Sequence, residues 1–194
     1  MIKQDDVIAA LDKLRGDAIL VPTMTATAAV IRQRELTSRD LPVSGAMGKG
    51  SSVALGLALA QPDTKVIVID ADGSLAMNLG SLATIAGVKP KNLVHFVMHN
   101  GMYSVTGGQP IPAKEVISFT SMAEGAGYAA TYEFDDLEDF TVQLDEIMKL
   151  QGPVFVTIKA VPEVQNEPIA QRVRSPRART TTEAMALMHA ELTA

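Results

Sequence analysis

Short apolar runs rich in β-branched residues alternate along the chain with stretches in which apolar residues recur at helical spacing. This alternation is typical of a parallel sheet whose strands are connected by helices. The predicted strands span residues 18–21, 41–44, 66–70, 93–98, 129–134 and 154–159. We therefore expect an α/β fold, a single doubly wound, mainly parallel, six-stranded sheet with helices on both faces.

Helices are predicted where apolar residues form one stripe. The stripes are Val7, Ile8, Leu11 and Leu14, the small-residue stretch 51–60, then Leu75, Leu79, Leu82 and Ile85, and finally Leu137, Leu144, Ile147 and Met148. Gly87 and Pro90 are expected to end the third helix. Asp135 and Asp136 are expected to cap the fourth. Each strand thus leads into a crossover helix.

Two segments lack a strand or helix pattern. Residues 100–112 are rich in glycine and proline, which predicts a loop at the carboxyl end of a strand. Residues 162–180 are rich in proline, arginine and threonine, and Thr182 is predicted to cap a last helix with Met185, Met188 and Leu192 on one face. We assign residues 1–161 to one domain and residues 162–194 to a C-terminal tail.

The composition excludes several classes of function. A formal net charge of −5 over 194 residues argues against nucleic acid as the main partner. Four arginines near the C-terminus are the local exception and predict a solvated tail or a contact to an acidic partner surface. They are Arg172, Arg174, Arg177 and Arg179. The absence of cysteine excludes disulfides, thiolate metal sites and cysteine-ligated iron–sulfur clusters.

No apolar run reaches the ~18 residues that a membrane span requires. The first residues also lack the basic-then-apolar layout of a secretory signal. We therefore expect a cytoplasmic protein that does not bind a membrane.

Glycines and oxygen-bearing residues follow three successive predicted strands. The segments are 45–48 after the second strand, 71–74 after the third and 100–103 after the fourth. Ligands of open parallel sheets bind beyond the carboxyl ends of the strands, where such loops meet. Taken singly, each segment has a structural explanation, as a helix cap, a turn or a close helix–strand contact. Together, Asp72 and Asn100 suit a hard cation that itself carries a diphosphate, above helix N-termini.

The segment from Ala71-Asp72-Gly73-Ser74 to His99-Asn100-Gly101 resembles the cofactor motif of the thiamine diphosphate enzymes, which begins with Gly-Asp-Gly and ends in an Asn-containing turn. Ala71 replaces the first glycine, and His99 stands where Asn or Asp is usual. The resemblance implies that Asp72, Asn100 and the Met102 carbonyl ligate Mg²⁺. Gly73 and Ser74 would contact the diphosphate.

Further cofactor contacts are implied by the same resemblance. Tyr103 would lie beside the diphosphate. Gly45 would accept a hydrogen bond from the pyrimidine amino group, and Met47 would wedge the cofactor into its bent shape, so both are assigned a catalytic role. Thr23 and Thr25, after the first strand, are candidates for additional diphosphate contacts.

Four further residues are candidates for substrate contact or proton transfer. Lys49 and Gln109 are candidates for contact with an anionic substrate, although a lysine that opens a helix is more often simply exposed. His95 and His99 have the same parity on the fourth strand, opposite Asn100. We expect them to settle in or under the sheet rather than carry protons.

Longer stretches are similar to sulfopyruvate decarboxylase β subunits and phosphonopyruvate decarboxylases. They are Gly-Met-Tyr-Ser-Val-Thr-Gly-Gly-Gln-Pro at 101–110, the segment 45–48 with Ser51 and Ser52, and the segments 73–82 and 152–159. The resemblance implies the β subunit of a thiamine diphosphate- and Mg²⁺-dependent 2-oxo acid decarboxylase, which converts sulfopyruvate to sulfoacetaldehyde and CO₂. Phosphonopyruvate decarboxylase, another decarboxylase or carboligase subunit, and a non-catalytic cofactor-binding subunit remain open, the last because of Ala71 and His99.

Such enzymes build their site from two domains, and this chain has room for one. We therefore expect a hetero-oligomer with a separate α subunit, which would carry the pyrimidine-binding domain and its activating glutamate. Two other families fit less well. The oxo acid ferredoxin oxidoreductases with a similar cofactor domain carry a cysteine-rich motif, whereas this chain has no cysteine. Gly48-Lys49-Gly50-Ser51 departs from a nucleotide-binding P-loop, because Val43 stands where the first glycine is required and Gly50 where Ser or Thr should follow the lysine.

Overall fold

The computed structural model describes residues 1–164, 167, 171, 173 and 175–193, so Arg172 and Arg174 lie outside the described residues. Five parallel strands form the main sheet in the order β1-β2-β3-β7-β6. A short antiparallel pair, β4 and β5, stands apart from it. The strands are β1 Ile19–Pro22, β2 Val66–Ala71, β3 Leu93–His99, β4 Met102–Tyr103, β5 Gln109–Pro110, β6 Ala130–Phe134 and β7 Val154–Lys159.

Helices cover both faces of this sheet, as the sequence predicts. They are α1 Gln4–Leu14, α2 Met24–Gln33, α3 Gly50–Ala60, α4 Asp72–Ala76, α5 Gly80–Val88, α6 Phe119–Ala126, α7 Leu137–Lys149 and α8 Thr181–Thr193. One apolar core lies between the sheet and α1, α2 and α7, and the other between the sheet and α3, α5, α6 and α8. In the described part of the chain, no helix has the length and apolar character needed to cross a membrane.

The predicted second strand, 41–44, is the main departure within the sheet. Leu41 and Val43 donate backbone hydrogen bonds to β1, but the segment forms isolated bridges rather than a sixth strand. The ladder is interrupted because Pro22, in the middle of this pairing, has no amide hydrogen to donate, and Gly45, with φ of 72°, turns the chain immediately afterwards. The fold class is confirmed, with five strands in the main sheet.

The helix boundaries differ where local geometry overrides the apolar stripe. The predicted third helix divides into α4 and α5, and α5 ends at Val88 because Lys89 takes the left-handed conformation (φ 56°) that Gly87 was expected to supply. Asp136, but not Asp135, caps α7 by accepting from two backbone amides. Residues 102–110 are not wholly loop, since they contain β4 and β5.

Helix α8 is capped by Thr180, two residues before the predicted cap, Thr182. Thr180 and Glu183 hydrogen-bond reciprocally to each other's backbone amides, which is a capping box. Ala184 and Met188 are buried in the second core, whereas Met185, predicted to share a face with Met188, is 50% exposed.

The described arginines of the basic cluster contact the chain itself. Arg177 pairs with Glu35, and Arg179 donates to the Thr37 carbonyl. These two side chains therefore help to fix the segment before α8 against the rest of the domain.

Candidate functional site

The loops after β2 and β3 are joined through Asp72. This fully buried carboxylate accepts hydrogen bonds from the Gly73 amide at Oδ1 (2.7 Å) and from the Gly101 amide at Oδ2 (2.6 Å). Burial raises the pKa of Asp72 to about 6, although the amides of Gly101, Gly73 and Asn100 oppose the shift. A bound cation would favour the ionised form and reverse this effect.

Asn100 shapes the second of these loops. Its Oδ1 accepts from the Met102 amide (3.0 Å), and its Nδ2 donates to Ser104 Oγ (2.9 Å). Gly101, between Asn100 and Met102, has φ of 75°, which returns the chain toward β4. Asp72 and Asn100 thus accept from successive amides of the same loop, those of Gly101 and Met102.

The backbone of Gly73 is in close contact with the ring of Tyr103. A Cβ atom at this position would lie 2.6 Å from Tyr103 Cε1 and 2.7 Å from Cδ1, so the Tyr103 ring rests directly on the Gly73 backbone. Any larger residue would displace that ring. The sequence pattern Asp-Gly therefore has a packing cause as well as a turn preference.

The segment 45–48 is attached to α4 and its C-terminal flank. The Gly48 amide donates to Ser74 Oγ (3.0 Å), and Asn78 Nδ2 donates to the Gly48 carbonyl (2.8 Å). Gly45 and Ala46 are exposed, while Met47 is partly buried. The Gly48 amide is thus engaged by Ser74, and the hydroxyl of Ser51, in the following helix, is hydrogen-bonded to that of Ser81 (3.1 Å).

A pocket lies where these loops meet. Seven residues predicted to bind the cofactor line it: Thr25, Met47, Gly73, Ser74, Asn100, Met102 and Tyr103. The remaining lining residues are Met24, Ala71, Ser104, Val105 and Thr106. Of these, Met24 had no sequence signal, because its position depends on a left-handed backbone (φ 46°) that methionine rarely adopts.

The other predicted site residues lie outside the lining of that pocket. Asp72 is fully buried, although its chain neighbours Ala71 and Gly73 line the pocket, and Gly45 is exposed. Thr23 directs its hydroxyl to Asp70 (3.2 Å), and Lys49 is exposed at the start of α3. Gln109 is exposed, and its side-chain amide is bonded to Thr106, so it braces the β4–β5 hairpin instead of facing the pocket.

Both strand histidines are buried, as their parity predicts. His95 is 0% exposed, and burial lowers its pKa to about 3, so it is neutral. His99 packs edge-on against Phe119, and its Nδ1 lies 3.1 Å from Lys159 Nζ. Burial, followed by the charge of Lys159, lowers the pKa of His99.

The oxygen atoms at this edge suit Mg²⁺ better than a softer metal. One carboxylate, one amide oxygen and a nearby backbone carbonyl, with space for phosphate oxygens, match the preference of Mg²⁺ for few protein ligands. Within the described residues, no group of three or more His, Asp or Glu side chains is placed to share a metal. The residues present therefore fit a phosphate-borne Mg²⁺.

Residues 22–158 match the family described as "Thiamine pyrophosphate enzyme, C-terminal TPP binding domain". The chain is 38% identical over 141 residues to sulfopyruvate decarboxylase subunit beta of Methanothermobacter thermautotrophicus, covering 70% of this chain and 72% of that protein. It is 34% identical over 186 residues to phosphonopyruvate decarboxylase of Streptomyces hygroscopicus, covering 86% of this chain but 44% of that protein. The chain thus spans less than half the length of the latter relative.

The fold has a solved counterpart in thiamine diphosphate-dependent 4-hydroxybenzoylformate decarboxylase of Rhodococcus jostii. The TM-score is 0.71 at 23% identity, with 86% of this chain and 33% of that chain covered. At this identity, the similarity establishes the shared fold.

Proposed function

Because the chain belongs to the thiamine pyrophosphate enzymes and carries their C-terminal TPP-binding domain, we propose that it is the β subunit of a thiamine diphosphate- and Mg²⁺-dependent 2-oxo acid decarboxylase. The substrate that we propose is sulfopyruvate, and the products are sulfoacetaldehyde and CO₂. The observation that carries the proposal is the Asp72 carboxylate, which joins the loops after β2 and β3, and residues of both loops line the pocket.

In this proposal, three groups hold the metal: the carboxylate of Asp72, the side-chain oxygen of Asn100 and the carbonyl of Met102. The first two are already oriented by backbone amides, so little rearrangement is needed on binding. Because each oxygen atom retains a lone pair beyond its hydrogen bond, it can still coordinate a cation.

The diphosphate would lie against Gly73 and Ser74, at the start of α4, with Tyr103 beside it. Gly73 permits close approach, and the Ser74 hydroxyl already holds the Gly48 amide. Thr25 lines the same pocket and is the better placed of the two threonines, since the Thr23 hydroxyl is bonded to Asp70.

The cofactor supplies the chemistry by which the carboxyl group is lost from a 2-oxo acid. Met47, which lines the pocket, would support the bent cofactor, and the Gly45 carbonyl would bind its aminopyrimidine end. Gly45 and Ala46 are exposed. This exposure supports a partner α subunit that covers them and supplies the pyrimidine-binding domain with its activating glutamate.

Replacing Gly73 with Ala should weaken the binding of thiamine diphosphate in the presence of Mg²⁺. The added methyl group would displace the Tyr103 ring, and overpacking of this kind costs about 1–3 kcal/mol. Isothermal calorimetry on the full chain measures the effect. Gly125→Ala is the matched control, because a Cβ there meets nothing within 4 Å. Equal affinity of the two variants would contradict the proposed diphosphate position.

Activity should require both subunits, both cofactor components and the correct acid. The chain would be mixed with a partner bearing a pyrimidine-binding domain, and CO₂ release would be measured from sulfopyruvate, phosphonopyruvate and pyruvate. We expect release to be fastest from sulfopyruvate and to stop when a chelator removes Mg²⁺. Release by the chain alone would refute the half-site proposal, and cofactor binding without any release would identify a non-catalytic subunit.

A further inference from the structure

Four polar side chains form a row across the second face of the sheet. Tyr128 precedes β6, His95 lies on β3, Asp70 on β2, and Thr23 follows β1. All four are at most 7% exposed. Thr23 and Asp70 directly precede residues that line the pocket, Met24 and Ala71. The row therefore connects the interior of the domain to the cofactor pocket.

The row is continuous apart from one gap. Tyr128 Oη lies 3.2 Å from His95 Nδ1, and Thr23 Oγ1 lies 3.2 Å from Asp70 Oδ1. Between them, His95 Nε2 faces Asp70 Oδ2 at 3.9 Å. Among the described residues, neither of these two atoms has a hydrogen-bond partner, although both are buried. Unpaired buried polar atoms are costly, so two that face each other indicate a functional pair.

Counting donors and acceptors decides where the proton of His95 lies. If Nδ1 accepts from the Tyr128 hydroxyl, then Nε2–H points at the Asp70 carboxylate and every donor in the row has an acceptor. With Asp70 ionised, the opposite tautomer would set the Nε2 lone pair against the carboxylate. It would also leave the Tyr128 proton without an acceptor among the described residues. Burial raises the pKa of Asp70, and the hydrogen bonds from Ser74, the Ala71 amide and Thr23 oppose that rise. Burial keeps the imidazole neutral and raises the pKa of Tyr128, so the phenol retains its proton.

The pocket end of the row is strained. Met24 has φ of 46°, a conformation that a non-glycine residue keeps only when its surroundings enforce it. Thr23 is fixed on both sides, because its hydroxyl donates to Asp70 and its amide donates to the Ile69 carbonyl (3.0 Å). The Gly50 backbone packs against the Thr23 methyl group so closely that a Cβ would clash.

We propose that Tyr128 and His95 are positioning residues, which act through Asp70 and Thr23 to hold Met24 and Thr25 at the wall of the cofactor pocket. His95 does so as the neutral Nε2–H tautomer. Neither residue belongs to the cofactor motif. The effect on cofactor affinity rests on the proposed function, whereas the tautomer and the geometry of Met24 do not.

The tautomer is tested by ¹⁵N NMR of the cofactor-free full chain, whose three histidines give a simple spectrum. We expect His95 to show a protonated Nε2 and an unprotonated, hydrogen-bonded Nδ1, and the Nδ1 signal to shift in Tyr128→Phe. A protonated Nδ1 in the unmodified chain would overturn the proposal.

The positioning role is tested with the pair Tyr128→Phe and Tyr132→Phe, both carrying ¹³C-methyl methionine. In Tyr128→Phe we expect the Met24 methyl signal to move and the affinity for thiamine diphosphate with Mg²⁺ to fall about fivefold, as for one lost hydrogen bond. Tyr132, half-buried and stacked on Phe134, should change neither measurement. A lowered melting temperature with an unmoved Met24 signal would show that Tyr128 is merely structural. If the chain bound no cofactor at all, the Met24 methyl signal would still show whether Tyr128 positions Met24.

Discussion

Replacing Asp72 with Asn is expected to lower the affinity for thiamine diphosphate and Mg²⁺ by about 100-fold or more. Asp72 is the one carboxylate among the three proposed ligands, and a charge-assisted contact is worth roughly twice a neutral one. The substitution also places an amide NH₂ against the Gly73 or Gly101 amide, whose acceptor is lost. Calorimetry with and without chelator measures the loss of affinity and its dependence on Mg²⁺.

Asp63→Asn is the control for that experiment, because it removes the same charge from an exposed turn. Its affinity should match that of the unmodified chain. If Asp72→Asn retained Mg²⁺-dependent binding, the metal would have to be held elsewhere.

The largest expected effect on stability belongs to Asp40. This fully buried carboxylate is paired with Arg15 (2.5 Å) and Arg34 (2.6 Å) and accepts from the Thr37 amide (2.7 Å). Asp40→Asn would leave two arginines without their buried partner, at a cost of about 3 kcal/mol of unfolding free energy. Urea unfolding measures this cost. Asp5→Asn, in a half-exposed pair with Arg32, should cost less than about 1 kcal/mol.

The same carboxylate predicts a pH dependence. Burial alone would raise the pKa of Asp40, but the hydrogen bond from Arg34, the charge of Arg15 and the Thr37 amide together lower it. A lowered folded-state pKa stabilises the fold above the ordinary aspartate pKa of about 3.9, and the contribution is lost as pH falls through the folded-state value. The difference between Asp40→Asn and the unmodified chain should therefore be constant near neutrality and shrink below about pH 4. A constant difference down to pH 2 would contradict this origin.

The sequence predicted those parts of the fold and the site that depend on one dominant physical cause. The parallel strands follow from continuous apolar runs, and the meeting of Asp72 with the Asn100 loop follows from the rule that the carboxyl ends of parallel strands share an edge. His95 and His99 are buried as predicted, on a strand whose residues are all buried.

Other features depend on tertiary contacts that no local pattern carries. Gln109 looks like a free polar side chain in the sequence, but the hairpin turn engages it with Thr106. Met24 is held in a conformation that its own propensity disfavours. Helix α2 was not predicted from the sequence, and it packs against α1 and the sheet.

The bridges beside β1 have a consequence for assembly. The outer backbone groups of Leu20 and Pro22 are occupied by Arg39, Leu41 and Val43 of the same chain. An open edge strand is a template on which another polypeptide can add a strand, either in aggregation or in a specific complex. At this border those backbone groups are already occupied, so the α subunit proposed above would contact the surface around Gly45 through shape and side chains and not by extending the sheet.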